Sequence, residues 1–165
     1  MKVVYFIRHA KSSWDSDSLR DMDRPLNERG LRDAPFMANL LKSKGILLDG
    51  IVSSPANRAY TTATYFAAAF DLKETEIKVV NQIYESSPAT ILAIIRQLRE
   101  DWNTIFIFGH NPTFTDLVNQ FAGRVIDNIP TCGIAKVEDE VQHWQDFGVK
   151  NARLTAFYYP KQHFI

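Results

Sequence analysis

Short apolar runs rich in β-branched and aromatic residues recur along the chain at residues 3–7, 50–53, 77–80, 104–108, 134–137 and 154–158. Each is bounded by polar or turn-forming residues, a pattern that predicts strands. Between them lie longer stretches with apolar residues at helical spacing. Ile91, Leu92, Ile94, Ile95, Leu98 and Trp102 form one such face, and Phe114, Leu117, Val118 and Phe121 another. Strands alternating with helices predict an α/β layer fold in which crossover helices join largely parallel strands. With 165 residues and no repeat, low-complexity tract or linker, the chain reads as one domain.

The helix ends are marked as well. Ser54-Pro55, Ser87-Pro88 and Asn111-Pro112 each place a capping side chain before a proline suited to the first helical position. Gly123 suits the left-handed residue beyond the end of the helix that follows Asn111. Residues 27–44 read as a helix closed by Gly45, with Pro35 expected to kink it or delay its regular start, so irregularity is expected between Asn27 and Pro35.

Composition narrows the function classes. Nineteen Lys plus Arg balance nineteen Asp plus Glu, which argues against nonspecific binding of nucleic acid or of an anionic membrane. No run approaches membrane-spanning length. Lys2 followed by residues 3–7 faintly imitates a secretory signal, but the run is too short and meets Arg8 where an apolar core should continue. The single cysteine, Cys132, cannot form an intramolecular disulfide, and no Cys/His spacing suggests a structural zinc site. A cytoplasmic protein is expected, with neither metal nor cofactor.

Chemistry collects at three predicted strand ends. Arg8-His9 follows the first strand, Gly109-His110 the fourth, and Ser53-Ser54-Pro55-Ala56-Asn57-Arg58 the second. Open α/β sheets gather functional groups in the crevice beyond the carboxyl ends of their strands, so these loops should meet. Imidazole beside guanidinium suits phosphoryl transfer, because the imidazole nitrogen attacks phosphorus while arginine forks hold the phosphate oxygens. Two nearby arginines also disfavour the charged form of a nucleophilic histidine.

The set Arg8-His9-Ala10, Arg24-Pro25-Leu26-Asn27-Glu28-Arg29-Gly30, Ser53-Ser54-Pro55 with Arg58, and Gly109-His110-Asn111-Pro112 resembles the histidine phosphatase superfamily, in particular its short SixA-type phosphohistidine phosphatases. The resemblance runs from Val3 to about Phe121. It implies a three-layer α/β/α sandwich with a mixed, mostly parallel sheet of the phosphoglycerate mutase-like kind. It also implies His9 as the nucleophile that is transiently phosphorylated, Arg8 and Arg58 as phosphate clamps, and His110 as the second pocket histidine.

Two positions depart from the family pattern. Ala10 stands where the family carries glycine, which disfavours a positive φ there. Asn111 stands where the acid phosphatase branch has an aspartate, and an amide cannot protonate a leaving group. Glu85 is the best-placed carboxylate to serve as general acid. Lys11, Ser12, Ser13 and Asn111 are secondary candidates for phosphate binding, and Arg20 and Arg24 are candidates to guide an acidic partner. His143 and His163 read as surface residues, and Trp14, Trp102 and Trp144 as packing or rim residues.

The expected activity is a metal-independent phosphatase working through phosphohistidine on His9. Its expected substrate is phosphohistidine on a signalling or phosphotransfer protein, since no long insertion would roof over a small molecule. Phosphate is the product. The alternatives are a phosphatase of small phosphate esters and a noncatalytic phosphate-binding module.

Overall fold

The apolar runs all become strands of one six-stranded sheet in the computed structural model, which describes residues 1–15 and 17–164. Strands β1 (Lys2–Arg8), β2 (Gly50–Ser53), β3 (Ile77–Val79), β4 (Thr104–Gly109), β5 (Ile134–Asp139) and β6 (Arg153–Tyr158) lie in the order β3-β2-β4-β1-β5-β6. The pairs β2·β3, β2·β4 and β1·β4 are parallel, whereas β5 runs antiparallel to both β1 and β6. The sheet is therefore mixed and mostly parallel, with its antiparallel pairs confined to one side.

Side chains alternate across the sheet and build two cores. Tyr5, Ile7, Ile51, Phe106, Phe108 and Ile134 face α1 (Glu28–Lys42) and α2 (Asn57–Ala69), which contribute Met37, Leu41, Ala63 and Phe66. Val4, Phe6, Val52, Ile105, Ile107 and Val137 face α3 (Pro88–Arg96) and α4 (Thr113–Asn119), which contribute Ile91, Ile95, Phe114 and Leu117. This is the three-layer sandwich. The loops leaving β1 and β2 turn to one face and the loop leaving β4, which lies between them, turns to the other, so a crevice opens at their carboxyl ends.

Several helix boundaries differ from expectation. Ser87 caps α3 as predicted, accepting from the Thr90 N–H, with Pro88 at the helix start. Helix α2, however, begins at Asn57 because the Ser54 hydroxyl accepts from Ala56 N–H, two residues on, and closes a local turn instead of a cap. Helix α4 begins at Thr113, after Pro112. It ends at Asn119 and not near Gly123, because the Asn119 amide bonds both the N–H and the carbonyl of Ile126 and starts a loop there. Likewise α3 ends at Arg96, and Leu98 and Trp102 pack from the turns that follow.

The irregularity expected before Pro35 does not occur. Helix α1 runs unbroken from Glu28, with the Asn27 side chain accepting from Gly30 N–H and Gly45 at φ +71° after its end. The carbonyl that Pro35 leaves without an intrahelical donor belongs to Leu31, an exposed residue open to water.

Candidate active site

The loop after β1 is fixed from several directions. His9 N–H donates to the Gly109 carbonyl at 3.1 Å, and the His9 carbonyl accepts from Cys132 N–H at 3.0 Å. Ala10 N–H donates to Thr62 Oγ1 on α2 at 3.0 Å, and that hydroxyl donates to the Arg58 carbonyl at 2.7 Å. Ala10 is fully buried with a negative φ, so alanine fits this turn. The next residue, Lys11, is pressed by Gly30 of α1, where an added Cβ would overlap the Lys11 carbonyl oxygen.

His9 and His110 face each other with ring centroids 5.3 Å apart. His9 is 8% exposed, and its Nδ1 lies 2.8 Å from the Ala10 carbonyl oxygen. A carbonyl can only accept, so Nδ1 carries the proton and Nε2 keeps its lone pair in the neutral ring. Burial drives the His9 pKa down to about 3, with His110, Arg58 and Arg8 adding repulsion. His110 is lowered to about 4, by burial first and then by Arg58. Its Nε2 lies 2.8 Å from Ser54 Oγ, its Nδ1 is buried without a partner among the described residues, and Tyr84 packs edgewise on its ring at 5.7 Å.

Two arginines flank the histidines. Arg8 ends β1 and donates from Nη1 to the Ile129 carbonyl at 2.9 Å. Arg58, in the first turn of α2, donates from Nη1 to the Asp21 carbonyl at 2.7 Å and from Nη2 to Asp21 Oδ2 at 3.0 Å. The Nε atoms of both are buried without a hydrogen-bond partner among the described residues. Two neutral imidazoles and two cations, with open donors and an open ring nitrogen, form a cluster suited to a tetrahedral oxyanion.

The structure thus brings His9, His110, Arg8 and Arg58 together. Asn111 is adjacent but fully engaged elsewhere: its Nδ2 donates to Asn128 Oδ1 and the Ile129 carbonyl, and its Oδ1 accepts from the N–H and hydroxyl of Thr115. It secures the segment that holds Arg8 and has no spare donor for phosphate. Ser12 accepts from Arg24 Nη1 at 2.8 Å, Ser13 Oγ accepts from Asp15 N–H, and half-buried Lys11 accepts Asn27 N–H at its carbonyl. Glu85 is exposed, with φ +54°.

Arg24, taken in the sequence for an exposed guide, is buried and bonded to Ser12, Ser13 and Asp21. Arg20 is exposed and paired with Asp23. Asp21, Tyr84 and the pocket role of Ser54 were not anticipated. Ser54 lies within the Ser53-Ser54-Pro55 motif but resembles a helix cap in the sequence, whereas Asp21 and Tyr84 belong to no motif and reach the site only through the fold. His143 and His163 are on the surface, Trp144 is fully buried, and Trp14 is 70% exposed against Arg24.

The family model described as histidine phosphatase superfamily (branch 1) matches residues 4–90, more than half of the chain. The chain belongs to the histidine phosphatase superfamily. An uncharacterised chloroplastic protein of Arabidopsis thaliana is 32% identical over 151 residues, covering 87% of this chain and 69% of the relative. Within the superfamily the similarity is to SixA-type members. A structure from Agrobacterium tumefaciens assigned as phosphohistidine phosphatase SixA is 28% identical, with a TM-score of 0.81 and coverage of 96% and 98% of the two chains. A protein histidine phosphatase SixA complexed with tungstate shares the fold at a TM-score of 0.81 and 23% identity, covering 97% of this chain and 98% of that one. The chain is accordingly a histidine phosphatase superfamily hydrolase with the phosphoglycerate mutase-like fold. Among the described residues, no helix is long and apolar enough to cross a membrane, and no three His, Cys, Asp or Glu side chains cluster as a metal site would require.

Proposed function

We propose that this histidine phosphatase removes phosphate from phosphohistidine on a protein, through a covalent intermediate on His9. The observation that carries the reading is the state of His9: a neutral ring with its Nδ1 proton held by the Ala10 carbonyl, leaving Nε2 as the nucleophile beside two arginines. The lone pair on Nε2 forms a bond to phosphorus as the bond to the substrate imidazole breaks, and that ring, protonated on its other nitrogen, takes the bonding pair and departs neutral. Water then attacks phosphorus, His9 is released, and inorganic phosphate departs. The buried Nε–H groups of Arg8 and Arg58, unpaired among the described residues, bind the oxygens in both steps, so no metal is invoked to neutralise charge.

With the Ser54 hydroxyl donating to Nε2 of His110, Nδ1 of His110 carries a proton and becomes a further donor to the phosphoryl group. Asp21, its carboxyl pulled down to about 2, cannot supply a proton, which leaves Glu85 as the proposed acid for leaving groups that need one. The resemblance to the SixA structure from Agrobacterium tumefaciens supports a phosphohistidine substrate. A reducing, cytoplasmic setting agrees with the buried free thiol of Cys132.

The test compares release of phosphate from a histidine-phosphorylated protein with release from a panel of small phosphate esters, using wild type and His9→Ala. Preference for the phosphoprotein, abolished in His9→Ala, is expected. A clear preference for metabolites overturns the substrate class, and binding without turnover in the wild type overturns the enzyme.

A further inference from the structure

Arg8 and Arg58 are presented in the same way. In each, Nη1 is tied to a backbone carbonyl, that of Ile129 or Asp21, and Nε is buried without a partner among the described residues. A guanidinium offers a bidentate acceptor two edges, the end edge of Nη1 with Nη2 and the side edge of Nε with Nη2. In Arg58 the end edge is filled by one residue, since the Asp21 carbonyl takes Nη1 and the Asp21 carboxylate takes Nη2. Only the side edge is left to an oxyanion.

Asp21 is itself held from three segments. Its Oδ1 accepts from Arg24 Nε at 3.1 Å, and its Oδ2 accepts from the Tyr84 hydroxyl at 2.7 Å as well as from Arg58. The same Tyr84 ring packs on His110. We infer that Asp21 is the positioning residue of the phosphate clamp: it occupies the end edge of Arg58, turns the Nε–Nη2 edge toward the phosphate, and ties that arginine to the wall behind His110. This rests on the reading that Arg58 holds the phosphate.

A competing effect has the opposite sign, because a carboxylate near the clamp repels a phosphate dianion and its removal would strengthen binding. The Asp21 side chain is 46% exposed, so water and salt screen that repulsion. The Arg58 side chain is only 8% exposed, and its orientation is set by bonds that solvent does not replace. Positioning should therefore outweigh repulsion.

The test measures orthovanadate and inorganic phosphate binding by calorimetry, and KM and kcat by phosphate release, in wild type, Asp21→Ala and Asp21→Asn. For Asp21→Ala, the dissociation constants and KM should rise together by roughly tenfold, with kcat changed by less than about threefold, as for lost binding common to ground and transition states. Asp21→Asn keeps one acceptor and should fall between the two; it carries the test should Asp21→Ala not fold. Tighter oxyanion binding in either variant would make Asp21 a counter-charge and overturn the inference. Unchanged binding, or a loss confined to kcat, would overturn it too. Failure of the wild type itself to bind either anion would instead refute the reading of the whole site.

Discussion

Acidification should destabilise this protein through the histidine proposed to carry out its chemistry. In the unfolded chain His9 titrates near its ordinary value of 6.5, whereas in the fold burial lowers it to about 3. Between these values the unfolded state binds a proton that the folded state refuses, so stability is retained above the unfolded pKa and lost as pH falls, levelling off below the folded one. From about pH 7 to about pH 5 an unfolded histidine goes from about one-quarter to almost fully protonated, and the linked loss is ~2 kcal/mol for this residue. That figure depends little on the folded value so long as it stays well below about pH 5. Urea unfolding followed by tryptophan fluorescence, for wild type and His9→Ala across this range, isolates the contribution. Buffers must lack phosphate and sulfate, because a bound anion would stabilise the fold. The cavity left by alanine is independent of pH, so the stability difference between the two proteins should shift by ~2 kcal/mol in favour of the variant on acidification. A difference that stays constant with pH would show that His9 is not held neutral, and the derivation of its nucleophilic nitrogen would fail with it.

Arg58→Lys should lower kcat/KM by more than about tenfold despite keeping the charge, since an ammonium cannot offer the bidentate edge; steady-state kinetics on a phosphohistidine protein will show it. Ser54→Ala, which removes the hydroxyl partner of His110, should reduce turnover by about tenfold with little effect on the unfolding midpoint, and an unchanged rate would remove His110 orientation from the mechanism. Gly30→Ala drives a Cβ into the Lys11 carbonyl and should destabilise the fold by ~3 kcal/mol or shift the nucleophile loop, measured by urea unfolding and by turnover together. Glu85→Gln should slow esters with poor leaving groups more than phosphohistidine, and equal slowing of both would exclude a proton-donor role.

The architecture was legible because the central strands β1, β2 and β4 are short, nearly continuous apolar runs of the kind a sheet covered on both faces requires, and all six runs from residue 3 to residue 158 became strands. The nucleophile cluster was legible for a related reason: His9, Arg58 and His110 each follow a strand end, and the parallel strands β1, β2 and β4 deliver those ends to one crevice. Helix starts were less so. Ser54 precedes a proline as a cap does, yet its side chain closes a tight turn, while Asn111 accepts from the first turn of α4 at Thr115 and also knits the 128–129 segment. Asp21 could not be found from spacing at all. It lies thirty-seven residues from Arg58 and sixty-three from Tyr84, on a turn whose position only the folded loop defines.

The central claim is that Nε2 of His9 attacks phosphorus. Rapid quenching of the enzyme with a generic phosphodonor, followed by mass mapping of the acid-labile phosphorylated peptide, tests it most directly. A phosphoryl group on His9 that forms and decays at the rate of turnover is the expected result. Turnover with the label on another residue, or with none trapped at any time, would contradict the account.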